Sequence, residues 1–223
     1  MTESTDQDVN GFHYFRTQVY ANLSGGEKLS QVYDNWAEYY TKQTGSVGYS
    51  GPANLAALAS DVIRDKSSRI LDAASGTGMV GEELKRRGFT NIDALDPSQG
   101  SLDKSKEHQS YTEYICDTLD EHQTTVPDSH YDAVVMCGAF GIPGHVSDAC
   151  FPELIRITKP GGHIMITMST KVSEDWNDKL EAAIQSHVQQ GSWEVVDDRW
   201  ITYHEHDTIN EKAKVPILRV VKK

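Results

Sequence analysis

Short apolar runs alternate with amphipathic stretches along most of this chain. Ile70-Leu71 leads into Asp72, Ile92 to Leu95 into Asp96, and Tyr111 to Cys116 into Asp117. Ala133 to Cys137 is apolar throughout and ends at Gly138, and His163 to Thr167 forms a fifth run. Unbroken apolar runs of this length suit strands buried on both faces of a parallel sheet. The segments between them carry helical spacing. Val80 and Leu84 stand against Glu82, Glu83, Lys85, Arg86 and Arg87. Ala149, Leu154 and Ile157 stand against Glu153 and Arg156 in a helix predicted over 146–157, which stops at Thr158-Lys159-Pro160-Gly161-Gly162. Trp176, Leu180, Ile184 and Val188 form one stripe of a helix predicted over 174–190, ended by Gly191. Two further strands, over 193–203 and 215–221, lack a helix between them and therefore predict an antiparallel hairpin at the sheet edge. Ahead of the first strand, Leu29, Val32, Tyr33, Trp36 and Tyr40 recur at helical spacing, and a second helix is expected over 53–64. The pattern predicts an α/β fold: a mostly parallel sheet with helices on both faces.

The corner after the first strand carries the chemistry. Asp72-Ala73-Ala74-Ser75-Gly76-Thr77-Gly78 is a small-residue turn opening a helix, where glycine lets the backbone approach a ligand. Gly76, Gly78 and Gly81 fit G-x-G-x-x-G, the dinucleotide fingerprint, which alone is weak because such spacings arise by chance. The other reading is a site for S-adenosylmethionine. That ligand's ammonium group can pair with Asp72, whereas a pyrophosphate would be repelled by it. Asp96, ending the second strand, suits ribose hydroxyls under either reading, or else caps the next helix, a role open to Ser98 as well. Asp117, ending the third, is placed to accept from an adenine amino group, or is a turn aspartate.

These pieces in this order resemble a class I S-adenosylmethionine-dependent methyltransferase over roughly residues 28–223. Within that group the chain is similar to the methyltransferase-like proteins of the Williams–Beuren syndrome region. Tyr33-Asp34-Asn35-Trp36-Ala37-Glu38-Tyr39-Tyr40, Gly138-Ala139 and Phe151-Pro152-Glu153-Leu154 leading to Lys159-Pro160-Gly161-Gly162 carry that likeness. Such families usually have glycine and cysteine where this chain has Ala74 and Ser75, both small enough for the turn. The resemblance implies a seven-stranded sheet with an antiparallel last strand. It implies one domain, with a helical cap over 28–66, a Rossmann-like core over 67–223, and residues 1–27 as a partly disordered segment or lid. S-adenosylmethionine would be the cofactor and S-adenosylhomocysteine the product. Tyr33, Trp36, Tyr40 and Tyr49 would lie near the methionine end, with Asp72, Ala74, Ser75, Gly76, Thr77 and Gly78 at the corner. Asp96, Pro97, Ser98, Cys116, Asp117, Thr118, Cys137, Gly138 and Ala139 would line the rest.

Methyl transfer from such a cofactor is a direct displacement, so the protein mainly aligns the acceptor and excludes water. A base helps if the acceptor is a hydroxyl or a protonated amine. His145, beyond the fourth strand, is the candidate, with Tyr203, His204 and His206 behind it; a surface or capping role is the plainer alternative for His145. His204 and His206 share a strand face, but two ligands without a third make a poor metal site, and no metal is expected. A net charge of −12 argues against a nucleic-acid partner and suits a neutral or cationic small-molecule acceptor. Cys116, Cys137 and Cys150, odd in number and without a C-x-x-C, suit reduced thiols in a cytoplasmic setting. The acidic start has no signal-peptide character and no apolar run is long enough to span a bilayer, so no membrane partner is expected; a homodimer is left open. A non-catalytic cofactor-binding protein and a nicotinamide-dependent oxidoreductase remain as competing functions, the latter disfavoured by Asp72 and the strand order.

Overall fold

The computed structural model describes residues 29–176, 178–207 and 209–221, together with Thr17. The aromatic run Phe12-His13-Tyr14-Phe15, the Ser24-Gly25-Gly26 break and, Thr17 aside, the rest of the expected 1–27 segment lie outside the described residues. Two helices come first, α1 (Leu29–Ser46) and α2 (Gly51–Val62). The alternating core comes next as β1 (Ile70–Ala73), α3 (Met79–Arg86), β2 (Ile92–Leu95), α4 (Gln99–Ser105), β3 (Glu113–Ile115), β4 (Tyr131–Met136), α5 (Phe151–Ile157) and β5 (Thr158–Ile166). It ends with β6 (Met168–Ser169), α6 (Thr170–Trp176), α7 (Asp178–Gln189), β7 (Trp193–His206) and β8 (Ile209–Val220).

The sheet runs β3-β2-β1-β4-β5-β8, with β6 and β7 also paired to β8. Strands β1 to β5 are parallel, and β8 lies antiparallel to β5, β6 and β7. Eight strands appear where seven are expected because the fifth is interrupted at Thr167 and resumes as β6 beside the same partner. Each parallel strand sorts its side chains between two cores. Leu71, Val134 and Met136 join Leu154, Ile184 and Trp193 on one face; Ile70, Ala133 and Val135 join Leu55, Leu84 and Phe89 on the other.

Three expected elements differ. The helix predicted over 146–157 begins only at Phe151, because Pro152 lacks an N–H and fits the first turn alone; a Ser147-capped 3₁₀ turn over 148–150 precedes it. The helix predicted over 174–190 starts four residues earlier, at Thr170, and is described as α6 and α7 on either side of residue 177. Trp176 Nε1 donates to Gly141 O, pinning α6 to the loop after β4, while Leu180 and Ile184 of α7 pack into the core beside Trp193. The third strand is shorter than 111–117, because Tyr111 turns its ring inward and donates its hydroxyl to Asp72. No described helix is long and apolar enough to cross a membrane.

Candidate functional site

The chain leaves β1 through an unusual backbone. Ala74 (φ 54°), Gly76 (φ 52°) and Gly78 (φ 92°) all occupy the left-handed region, where glycine costs nothing and alanine is strained. Two hydrogen bonds fix this turn to the C-terminal end of β2. Ser75 N donates to Leu95 O at 3.0 Å, and Gly76 N donates to Asp96 Oδ2 at 2.8 Å. The other Asp96 oxygen accepts from Ser98 N at 2.9 Å. Asp96 is therefore not the cap of the next helix. Ser98 fills that role, its hydroxyl accepting from Ser101 N. Each Asp96 oxygen has accepted one N–H, and a carboxylate has about four lone-pair sites, so acceptor capacity remains toward a ligand. Burial pushes the Asp96 carboxyl up to about 6, against the pull of the Ser98 and Gly76 N–H groups.

Asp96 borders a cavity of about 670 Å³. Of the residues expected at the cofactor, Tyr33, Tyr40, Ala74, Gly76, Thr77, Pro97, Ser98, Cys116, Asp117, Thr118, Cys137, Gly138 and Ala139 line this cavity, together with His145. Asp117 accepts from Thr118 N at 2.8 Å and meets His122 Nε2 at 3.0 Å. His122 Nδ1 lies 2.5 Å from Asp120, so the imidazole is clamped between two carboxylates, which raise its pKa. Leu119, Asp120 and the supporting His122 are not evident in the sequence, since a polar loop carries no periodicity.

Asp72, Ser75 and Gly78 are the predicted contacts that border neither cavity. Gly78 starts α3 and packs on Ser105 and Tyr111. Asp72, 1% exposed, lies one layer down on the face of β1 shared with Ile70, its Oδ2 accepting from Tyr111 at 2.5 Å. Gly81, the third glycine of the fingerprint, is also occupied by packing: a methyl there would collide with the Tyr111 ring. Of the three spaced glycines only Gly76 borders a cavity; Gly78 and Gly81 are taken up by packing against Tyr111.

Helix α1 roofs the site. Asp34 Oδ1 accepts from Ser98 Oγ at 2.7 Å and Gly100 N at 2.8 Å, tying α1 to the start of α4. The stripe on α1 is both core and wall. Trp36 is buried with its Nε1 on Gln43 at 2.7 Å, and its ring meets that of Tyr40 edge-on at 4.8 Å. Trp36 and Tyr49 face a second, smaller cavity of about 220 Å³ rather than the larger one. Its walls come from α1, the loop after β4, α6 and the β7–β8 hairpin, and include Phe140, Lys171, Asp175, Tyr203, His204 and Glu211. Tyr33, Tyr40, Gly138 and His145 border both cavities, so these four residues mark where the two meet. Gly138 (φ 80°) lets the chain pass beneath two phenols: a methyl there would sit 2.5 Å from the Tyr49 hydroxyl and 3.2 Å from that of Tyr203.

His145 closes the junction. Its Nδ1 lies 3.1 Å from Pro143 O, which can only accept, so Nδ1 carries the hydrogen and Nε2 is the acceptor. Tyr33 therefore donates its hydroxyl to Nε2 at 2.7 Å. Burial lowers the His145 pKa and keeps the ring neutral. Burial likewise raises Tyr40, Tyr49 and Tyr203, and holds Cys137 up at about 12, so these groups stay protonated at neutral pH. Among the described residues no cluster of three or more His, Cys, Asp or Glu ligands exists, at His204 and His206 or elsewhere.

The profile of a methyltransferase domain family matches residues 70–162, which run from β1 into β5. The chain is 33% identical over 169 residues to the human methyltransferase-like protein 27, an alignment covering 73% of this chain and 66% of that protein. It is 32% identical over 101 residues to the malonyl-[acyl-carrier protein] O-methyltransferase of Serratia marcescens, covering 44% of this chain and 37% of that enzyme. The chain thus spans two thirds or less of the curated relatives it matches. Its fold is similar to that of a TehB-like SAM-dependent methyltransferase from Corynebacterium glutamicum. The TM-score is 0.59 at 17% identity, over 86% of this chain and 98% of the other.

Proposed function

Since this chain belongs to the S-adenosylmethionine-dependent methyltransferases, whose cofactor is S-adenosylmethionine, we propose that it transfers a methyl group to a small-molecule acceptor held in the smaller cavity. The observation that carries this reading is the meeting of the two cavities at Tyr33, Tyr40, Gly138 and His145. The larger cavity has a volume within the range of about 300–1,000 Å³ usual for small-molecule sites. Its donor set fits the cofactor. Asp96 offers acceptors for ribose hydroxyls, Asp117 for an adenine amino group, and nothing stands within 4 Å of a Cβ built on Gly76. The corner's negative charge, from Asp96 at the wall and Asp72 beneath it, opposes a pyrophosphate and suits a ligand with a cationic end.

When bound, S-adenosylmethionine supplies a methyl group on a positively charged sulfur. The protein's part is to hold the acceptor in line and to keep water out. Trp36, Tyr49, Phe140 and Tyr203 give the acceptor an apolar, aromatic wall. Tyr33 and Tyr40 place ring faces where a cation is attracted. A protic acceptor must lose a proton, and the path on offer is a relay. Tyr33 takes that proton on its oxygen while passing its own to His145 Nε2, leaving an imidazolium whose Nδ1–H stays on Pro143 O.

The test is incubation of the chain with S-adenosylmethionine labelled in its methyl group and a cell extract separated into small-molecule, protein and RNA fractions. Mass spectrometry would read new methylated products. Label in low-mass products, absent with a boiled control, supports the reading. Label only in protein or RNA would refute the small-molecule acceptor. Tight cofactor binding with no transfer to any fraction would favour a non-catalytic binding protein, a reading the engaged His145 lone pair already makes chemically coherent.

A further inference from the structure

Asp72 is fully buried, yet only half satisfied. Its Oδ2 accepts from the Tyr111 hydroxyl at 2.5 Å, while Oδ1 has no hydrogen-bond partner. A buried carboxylate with an orphaned oxygen is costly unless something else compensates its charge. Three features of the chain serve this one contact. Gly81 on α3 lacks the methyl that would strike the Tyr111 ring. The chain before β3 turns Tyr111 inward instead of pairing it in the sheet. The Tyr114 ring packs edge-on against it at 5.7 Å.

Resting on the assignment of the larger cavity to S-adenosylmethionine, we propose that Tyr111 is a positioning residue of the cofactor site. Its hydroxyl orients the Asp72 carboxyl and favours the charged form that attracts the cofactor's cationic end. Asp72 lies buried in β1 two residues before Ala74, which borders the cavity, and acts across a low-dielectric layer where charge is poorly screened. The ionisable groups that share its surroundings are Tyr111, Asp96 at the end of β2, and Cys137 after β4. His108 and Glu82 pair with each other at 3.3 Å beside Gly78. Tyr40 stands over Asp96 and Cys137 from α1. None of them is a cation held against Asp72, so the positive charge is left for the ligand to bring.

These surroundings fix the sign of the pH effect. Burial lifts the Asp72 carboxyl to about 7, with the Tyr111 hydroxyl pulling it back down. Affinity for a cationic ligand must therefore rise as Asp72 ionises, and loss of Tyr111 must push that rise to higher pH.

The experiment is calorimetric titration across neutral pH with S-adenosylmethionine and with 5′-methylthioadenosine, which keeps the adenosine and lacks both the sulfonium and the amino-acid end. Wild type should bind S-adenosylmethionine more tightly above the transition than below it, by about tenfold for each unit by which the cationic ligand lowers the Asp72 pKa. Tyr111→Phe should lose roughly five- to tenfold at pH 7, recover at higher pH, and leave methylthioadenosine affinity alone. Asp72→Asn should flatten the S-adenosylmethionine profile, and adding Tyr111→Phe to it should cost nothing more. If Tyr111→Phe does not fold, the Asp72→Asn profile still decides whether this carboxyl's charge is felt. Equal losses for both ligands, or an unmoved profile in either variant, would overturn the proposal. Binding of neither ligand by wild type would overturn the cofactor site itself, a result distinguishable from a failure confined to Tyr111.

Discussion

Replacing Asp96 by asparagine separates the two tasks this side chain performs. Its oxygens accept from Gly76 N and Ser98 N, and the residue borders the larger cavity. Asparagine keeps one oxygen and turns an NH₂ toward the other donor, so one buried N–H loses its partner. Such a loss costs about 1–3 kcal/mol of stability. In a domain of this size that is a fall of roughly 2–10 °C in thermal midpoint. On the binding side, a charge-assisted bond to a ribose hydroxyl, worth about 1.5–3 kcal/mol, becomes a neutral one of about 0.5–1.5. The difference of about 1–2 kcal/mol predicts roughly 5- to 30-fold weaker binding of S-adenosylmethionine and S-adenosylhomocysteine alike. Calorimetry gives the affinities and a thermal melt of the free chain gives the stability. A variant that loses stability but binds both ligands as wild type does would refute the assignment of Asp96 to the ribose and leave it a turn-holding residue only.

The same geometry sets three further outcomes. Asp72 and Asp96 have folded-state pKa values raised above 3.8, to about 7 and about 6, so they favour the folded chain at low pH and that contribution is lost as pH rises through those values. Cofactor binding offsets the loss, so the thermal shift given by S-adenosylmethionine should be larger at about pH 8 than at about pH 5.5; a shift that shrinks with pH would contradict this. Tyr33→Phe deletes the bond to His145 and, at about 0.5–1.5 kcal/mol, should speed cofactor release roughly 2- to 10-fold in stopped-flow Trp fluorescence while the fold stays intact. Gly76→Ala adds a methyl where the protein has open space but the backbone is left-handed, costing about 1–2 kcal/mol of stability. Its larger effect should be on cofactor affinity by calorimetry, and unaltered affinity would mean the turn does not touch the ligand.

Much of the site is legible in residue order because strand ends are where the parallel fold exposes its chemistry. Asp96, Asp117 and Gly138 lie at such ends, and all three border the larger cavity. Asp72 obeys the same rule in sequence and not in space, because a tyrosine far along the chain turns into the core to meet it. Nothing in the periodicity of residues 111–117 separates an inward ring from a strand residue. The smaller cavity is the least visible part. Phe140, Lys171, His204 and Glu211 come from the loop after β4, α6 and the β7–β8 hairpin, segments far apart in the chain that only the fold brings together. Helix starts mislead where a proline sits inside a continuous stripe, as at Pro152. The link between Tyr33 and His145 joins residues 112 apart, a contact no local pattern encodes.

The central claim is that cofactor and acceptor meet at Tyr33, Tyr40, Gly138 and His145. A crystal structure with S-adenosylhomocysteine tests it most directly. The account predicts the ribose on Asp96, the adenine beside Asp117, and the sulfur at that four-residue junction, pointing into the smaller cavity. A sulfur directed away from the junction, or a ligand seated outside the larger cavity, would contradict it.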